Sequence, residues 1–216
     1  MTPDFARAVD PVFDYVLRTL ERIESGHDPD PDFTQGRIVA ALERAESALG
    51  EGNDEWQKAK FALVCWIDDL LVNAPWAGRD WWVNNILEFK MFKSNNGAVL
   101  FYMLAREATA SARRDAHEVY YLCVILGFRG IYSDPDRYRD ELVASELPQS
   151  LYEWLSRMAD GIRKPQPSAI PPQEQPEAVA APLRGRALMA QALILAAIGS
   201  AVVVFLFLGR YLTLDQ

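Results

Sequence analysis

Four carboxylates and two histidines are the residues of this chain that could do chemistry. Asp68 and Asp69 are adjacent within an apolar stretch, and Glu88 and Glu118 lie in two later ones. Carboxylates that project from neighbouring helices could serve a helical enzyme, with histidine completing a metal site. Such a site needs a particular spacing of its ligands along each helix.

The two histidines do not supply the pair of motifs that a helical metal enzyme requires. A di-iron site uses Glu-x-x-His on two helices. Glu24 and His27 fit this pattern once, but a glycine lies between them, and His117 follows Arg114 where a glutamate is needed. The sequence also has no phosphate-binding loop, dinucleotide fingerprint or serine-hydrolase motif. It therefore favours a protein without catalytic activity, metal or cofactor.

Asp68 and Asp69 allow two interpretations. In one, a helix N-terminus or an arginine compensates one acid while the other faces water. In the other, the pair binds a basic partner, so that replacing both acids with alanine weakens binding and leaves the fold intact. Because an unpaired buried carboxylate is costly, at least one acid must be compensated. Trp76 also allows two interpretations: it could cover the core, or it could lie in an interface with a partner.

The spacing of apolar residues predicts an all-α fold with about eight soluble helices. Two of them, at about 54–73 and from about 115 onward, are apolar on all sides and should be central. Another helix is predicted at about 79–93. Pro11 predicts either a kink in the first helix or a helix that begins there with Asp10 as its N-cap. No segment alternates with a period of two, so no strand is predicted.

An uncharged run from 187 to 208 predicts one transmembrane helix, because its 22 residues, at about 1.5 Å each, cover the hydrocarbon core of about 30 Å. Four basic residues lie between 163 and 186 and one follows the run, which places the N-terminal side in the cytoplasm. We therefore predict a single-pass, tail-anchored protein of the bacterial inner membrane. Its parts are a cytoplasmic domain (1–162), a proline-rich linker (163–186), the span (187–208) and a short periplasmic tail (209–216).

One face of the predicted span carries small residues at every fourth position. Small residues let helices approach closely in lipid, where apolar helices otherwise have little reason to associate. This face predicts self-association or pairing with the span of another protein. Its residues are Ala192, Ala196 and Ser200, and Gly199 lies beside them.

Composition narrows the choice of partners. The net charge is −8, and no basic stripe is present, which argues against binding to nucleic acid. The two cysteines, Cys65 and Cys123, lie within apolar runs. They are therefore interpreted as small buried hydrophobic residues in a reducing compartment.

Several stretches, in order, resemble the TssL/DotU/IcmH family. Residues 61–69 (FALVCWIDD) and 73–76 (NAPW) resemble its "YALCALLDE…LNTPWG" segment. Residues 87–102 resemble "LL..F….G..FF", and residues 118–132 resemble "LE.YYLCLLLGF.GRY". Order and spacing agree from about residue 5 to 158, and the linker and the predicted span also fit the family.

The resemblance implies a structural subunit of the type VI secretion inner-membrane complex, with a hook-like pair of helical bundles as its cytoplasmic domain. Its implied partners are a TssM/IcmF-like membrane protein, a TssK-like baseplate component and further copies of itself. Asp68 and Asp69 match the partner-facing acids of the family, although Asp69 replaces the usual glutamate. Trp76 and Glu88 lie in the matched segments and are also predicted to bind partners.

Two alternatives remain open beside this interpretation. Within the family, the chain could be the DotU/IcmH-type protein that stabilises IcmF in a type IVB system. From another class, it could be a membrane-tethered helical enzyme that uses the four carboxylates. Because only eight residues follow the predicted span, a periplasmic peptidoglycan-binding domain is not expected in this form.

Overall fold

Helices form the secondary structure of the computed structural model, which describes residues 1–110 and 114–163. Within these residues the chain has nine α-helices, one 3₁₀ turn and no strand, which confirms the all-α prediction. The elements are α1 (Pro3–Glu24), α2 (Pro31–Leu49), α3 (Asp54–Asn73), α4 (Arg79–Val83), α5 (Leu87–Phe92), α6 (Gly97–Ala110), α7 (Asp115–Ile125), the 3₁₀ turn (Gly130–Ser133), α8 (Arg139–Ala144) and α9 (Leu151–Arg163).

The first helix continues through Pro11. Its N-cap position is occupied by Thr2, and Pro3 follows at a position where a helix needs no N–H donor. The predicted start at Pro11, with Asp10 as the cap, is therefore wrong. The backbone N–H and the hydroxyl of Thr2 both donate to the carboxylate of Asp115, so the beginning of α1 is held against α7.

Helices α3 and α7 are central, as their apolar sequences predict. α3 contacts α4, α5, α6 and α7, and α7 also contacts α6 and α9. Large side chains of α3, including Trp56, Leu63 and Trp66, are completely buried. Cys65 on α3 and Cys123 on α7 are buried free thiols, as expected from their apolar surroundings.

The helix predicted at 79–93 is broken in the structure. It consists of α4 and α5 instead, with an extended Ile86 between them (φ −57°, ψ 140°). In an unbroken helix the N–H groups of Leu87 and Glu88 would donate to carbonyl groups four residues earlier. Here they donate to the carboxylate of Asp68 on α3. An acceptor from another helix thus replaces the acceptors of the helix itself.

Within residues 1–110 and 114–163, none of the helices has both the length and the apolar character that a membrane crossing needs. The predicted span (187–208) and tail (209–216) lie outside the described residues, as does the linker apart from Arg163, the last residue of α9. The four small residues of the predicted packing face, Ala192, Ala196, Gly199 and Ser200, lie outside them too.

His117 is a buried imidazole on α7, in close contact with α9. Its side chain is 1% exposed. A Cβ on Gly161 of α9 would lie 2.6 Å from its Cε1, so the glycine lets the two helices approach at this point. The Nε2 atom has no hydrogen-bond partner in the described part of the chain. Burial, together with the positive charge of Arg114, lowers the pKa of His117, which favours the neutral imidazole in the folded protein.

We expect His117 to destabilise the fold as the pH falls below about 6.5, the ordinary pKa of histidine. The unfolded chain binds a proton there, whereas the folded chain, with its lowered pKa, does not. Since the unfolded state then binds more protons than the folded state, the free energy of unfolding decreases as the pH falls. Urea denaturation at several pH values from about 7.5 to about 5 should therefore show a shallower decrease for His117→Gln than for the unchanged protein.

The matched control is His27→Gln, which changes the exposed histidine of the α1–α2 loop. Contributions from other titrating groups are common to all three proteins and cancel in the comparison. A decrease for His117→Gln as steep as that of the unchanged protein would contradict the assignment.

Candidate functional site

Asp68 directs its carboxylate into the protein interior, and the residue is 7% exposed. Its Oδ1 accepts hydrogen bonds from Trp82 Nε1 (2.9 Å) and from the N–H of Leu87 (3.0 Å). Its Oδ2 accepts from the N–H of Glu88 (2.8 Å). Because α5 has no side-chain cap of its own, the carboxylate from α3 supplies the acceptors that the beginning of this helix lacks.

Two opposing effects act on the ionisation of Asp68. Burial raises the pKa of Asp68 to about 6, and the nearby charge of Glu88 acts in the same direction. The three hydrogen bonds act in the opposite direction because they favour the charged form. At neutral pH, above this pKa, the carboxylate is ionised and can accept from all three donors.

Asp69 points about 100° away from Asp68 around α3 and reaches a different segment. Its Oδ2 accepts from the N–H of Arg129 (3.0 Å), and its Oδ1 accepts from Asn73 Nδ2 (3.2 Å). Burial raises the pKa of Asp69, whereas hydrogen bonds from the backbone of Arg129 and Gly130 lower it. Asp69 thus holds the beginning of the 3₁₀ turn, as its neighbour holds the beginning of α5.

Trp76 closes the core where the chain passes from α3 to α4. It is 7% exposed, and its Nε1 donates to the carbonyl of Leu71 (2.9 Å). The ring packs against Trp82 with 6.1 Å between centroids. A Cβ on Gly78 would lie 2.4 Å from the Trp76 ring, so a glycine is needed beneath it. These contacts correspond to the interpretation in which Trp76 covers the core.

Glu88 is also turned inward, and the residue is 7% exposed. Its Oε1 has no hydrogen-bond partner within the described residues. A Cβ on Gly97, the first residue of α6, would lie 2.5 Å from Glu88 Oε2 and 2.8 Å from Cys65 Sγ. The carboxylate therefore fits against the N-terminus of α6 because this residue is glycine, and the helix dipole there favours a negative charge.

The four predicted partner-binding residues surround one end of α3. Asp68, Trp76 and Glu88 are buried, and Asp69 is partly buried, so Asp69 offers the most accessible acid of the group. The sequence did not indicate Arg129 as a contact of this group. Its N–H is a backbone donor, and the residue is 60 positions from Asp69, so no local pattern could reveal the contact.

Glu118, the fourth acid of the enzyme alternative, is engaged elsewhere. It forms an ion pair with the α-amino group of Met1. In the described parts of the chain, no three His, Cys, Asp or Glu side chains are grouped in a way that could hold a metal ion. The acids at the end of α3 can cap neighbouring helical segments. Asp69 can also present its carboxylate close to the surface.

Known proteins resemble this chain both in sequence profile and in fold. Residues 4–213 match the profile of a family described as "Type VI secretion system protein DotU". The fold is similar to that of the cytoplasmic domain of TssL from Acinetobacter baumannii, with a TM-score of 0.57, 21% sequence identity, and coverage of 74% of this chain and 98% of that chain. At that identity the likeness shows the fold. No curated protein sequence matches the chain significantly.

Proposed function

The chain belongs to the DotU family of type VI secretion proteins, and from this membership we propose that it is a structural subunit of the inner-membrane complex of that system. The observation that supports the proposal is the family match, which covers residues 4–213. In our proposal the subunit links a TssM/IcmF-like membrane protein to a TssK-like baseplate component and has no catalytic activity. Because the family description names type VI secretion, we prefer this system to the type IVB alternative.

We also propose the tail-anchored topology. The cytoplasmic domain would comprise residues 1–162, the linker 163–186, the span 187–208 and the periplasmic tail 209–216. Support comes from the uncharged run, from the basic residues that precede it, and from a family match that extends through the run to residue 213. The small-residue face would serve self-association in the membrane, and the hook-like arrangement of two helical bundles stays a prediction.

For the cytoplasmic contacts we propose two different roles within the acidic group. Asp69, which is partly exposed, would contact a basic group of a partner directly. Asp68, Trp76 and Glu88 are buried, so they would act by holding the surrounding surface in shape. This division follows from burial, since a side chain that is 7% exposed has little area to offer a partner.

We expect Asp69→Asn to weaken binding of the TssM-like or TssK-like partner about tenfold, the scale of one lost charge contact in an interface. Asparagine is nearly the same size and keeps an acceptor for the N–H of Arg129, so the fold should persist. The measurement is co-purification of both partners with the tagged full chain from bacterial membranes. Asp80→Asn is the matched control, because the Asp80 side chain is 94% exposed and lies on α4.

The possible outcomes distinguish the proposed role of Asp69 from the proposed function of the subunit. If neither partner co-purifies with the unchanged chain, the proposed function fails. If both co-purify equally with the unchanged chain and with Asp69→Asn, the function stands and the role of Asp69 is wrong. A loss that also appears with Asp80→Asn would mean that the overall charge of the protein matters and that position 69 is not special.

A further inference from the structure

A recess with exposed apolar and basic side chains lies where α4 passes into α5. We call it the lysine recess. Its volume is about 520 Å³, within the range typical of ligand-binding clefts. The residues that line it and matter here are Val83, Ile86, Phe89, Lys90, Lys93 and Asn95.

Two large apolar side chains of the lysine recess are exposed to solvent. Phe89 is 51% exposed and Val83 is 45% exposed. A phenylalanine that is half exposed beside a recess gives a partner side chain both an apolar wall and a place to insert. Buried aromatic contacts of this kind dominate the binding energy of many interfaces.

Both lysines of the recess lie against aromatic rings. Lys90 Nζ is 5.5 Å from the centroid of Trp81 and donates to the side-chain oxygen of Gln35 on α2. Lys93 Nζ is 5.5 Å from the centroid of Phe89. These contacts orient the two ammonium groups and leave their charge uncompensated.

No carboxylate of residues 1–110 and 114–163 lies within ion-pair distance of Lys90 or Lys93. On α3, by contrast, Lys60 pairs with Glu46. The chain has 30 acidic and 22 basic residues, so acids are plentiful and yet none of the described ones is placed here. The recess is a basic site on an acidic protein.

We propose that the lysine recess binds an acidic segment of a partner protein that carries an apolar anchor side chain. Charge complementarity with two uncompensated lysines would orient the segment and speed its association. The exposed Phe89 and the concave surface would accept the anchor. A concave site fits an inserted side chain better than a flat lipid surface. The net charge of −8 opposes contact between the domains of two copies at this recess, unlike the self-association proposed within the membrane. This inference does not depend on the proposed secretion function.

The test is binding of a synthetic probe to the full chain in neutral detergent, measured by fluorescence anisotropy. The probe is a fluorescein-labelled peptide in which glutamate alternates with leucine and phenylalanine, and its counterpart carries lysine in place of glutamate. We expect the acidic peptide to bind with a Kd of about 10–100 µM and the basic one at least about tenfold more weakly. Raising the salt from about 50 mM to about 500 mM should weaken the acidic peptide several-fold because it screens the charges.

Variants locate the binding site. Lys93→Glu and Phe89→Ser should each weaken the acidic peptide at least about fivefold, while Lys93→Arg should retain binding. Lys93 is preferred to Lys90 because Lys90 also contacts α2. Arg7→Glu makes the same charge change on α1 at a side chain that is 77% exposed, and should leave binding within about twofold. Thermal melting of each variant checks that the fold is retained.

Several results would overturn the proposal. Equal binding of the two peptides, or unchanged binding by Lys93→Glu, would show that the recess does not select acidic segments. Binding to vesicles of phosphatidylglycerol and phosphatidylcholine without binding to the acidic peptide would assign the surface to a membrane. Sedimentation in which Lys93→Glu abolishes self-association, again without peptide binding, would assign it to a second copy of the chain.

Discussion

Replacing Asp68 with alanine should lower the free energy of unfolding by about 3–4 kcal/mol. The change leaves three interior donors, Trp82 Nε1 and the N–H groups of Leu87 and Glu88, without their acceptor. An unsatisfied buried donor costs about 1–3 kcal/mol. The total should be less than the sum of three such losses, because the substitution also removes the cost of burying a charged carboxylate. That cost is what raises the pKa of Asp68.

Urea denaturation of a fragment comprising residues 1–163 at neutral pH would measure this loss. Asp69→Ala is the control, because Asp69 is a partly exposed neighbour on the same helix, and it should cost about 1 kcal/mol or less. Amide hydrogen exchange should also show that residues 87–92 lose protection in Asp68→Ala. A stability within about 1 kcal/mol of the unchanged fragment would contradict the capping role of Asp68.

The same geometry revises the expectation that both acids can be replaced while the fold stays intact. That expectation treated Asp68 and Asp69 as equivalent because they are adjacent in the sequence. With three interior hydrogen bonds, Asp68 should contribute much more to the stability than Asp69. A binding defect in the double alanine variant would therefore not by itself identify a partner contact, and Asp69→Asn is the better probe.

Gly130→Ala should lower the free energy of unfolding by about 2–4 kcal/mol. Gly130 has φ +50°, a left-handed conformation that costs alanine about 1–2 kcal/mol. A Cβ there would also lie 2.8 Å from the carbonyl oxygen of Ala98 and 2.9 Å from Phe128 Cζ. Neither neighbour can move easily, because Ala98 lies in the first turn of α6 and the Phe128 ring packs against Phe101 with 4.0 Å between centroids.

Gly26→Ala separates the two contributions to this loss. Gly26 also has a positive φ, of +81°, but a Cβ there would meet no atom within 4 Å. Its loss should therefore be the backbone cost alone, about 1 kcal/mol. Both variants can be compared with the unchanged fragment by urea denaturation. Equal losses at the two positions would show that crowding around Gly130 is relieved at little cost.

The sequence predicts those parts of this fold that depend on local pattern. Helices α3 and α7 were identified because residues at about 54–73 and from about 115 onward are apolar on all sides, a property visible within one segment. The break before α5 could not be identified, because its cause is a carboxylate 19 residues before Leu87 on another helix. Phe89, which follows this break on α5, is half exposed.

The candidate site shows the same division. The sequence marked Asp68 and Asp69 as unusual because two adjacent acids interrupt an apolar helix, and it required that one of them be compensated. It could not say which one, or by which donors. The donors are mostly backbone N–H groups, which every residue but proline carries, so only the folded chain reveals that those of Leu87, Glu88 and Arg129 are the ones in contact.

Two neighbouring residues of α3 therefore hold two separate surfaces of the protein. Asp69 contacts the backbone before the 3₁₀ turn, and Asp68 holds the beginning of α5, the helix that carries Phe89 and Lys90. A partner that shifts this turn of α3 through Asp69 would also shift Asp68, and with it the acceptors on which α5 depends. Occupancy of one surface should then change affinity at the other, and linkage requires the same factor in both directions. The affinity of the protein for one partner would thus depend on whether the other partner is bound.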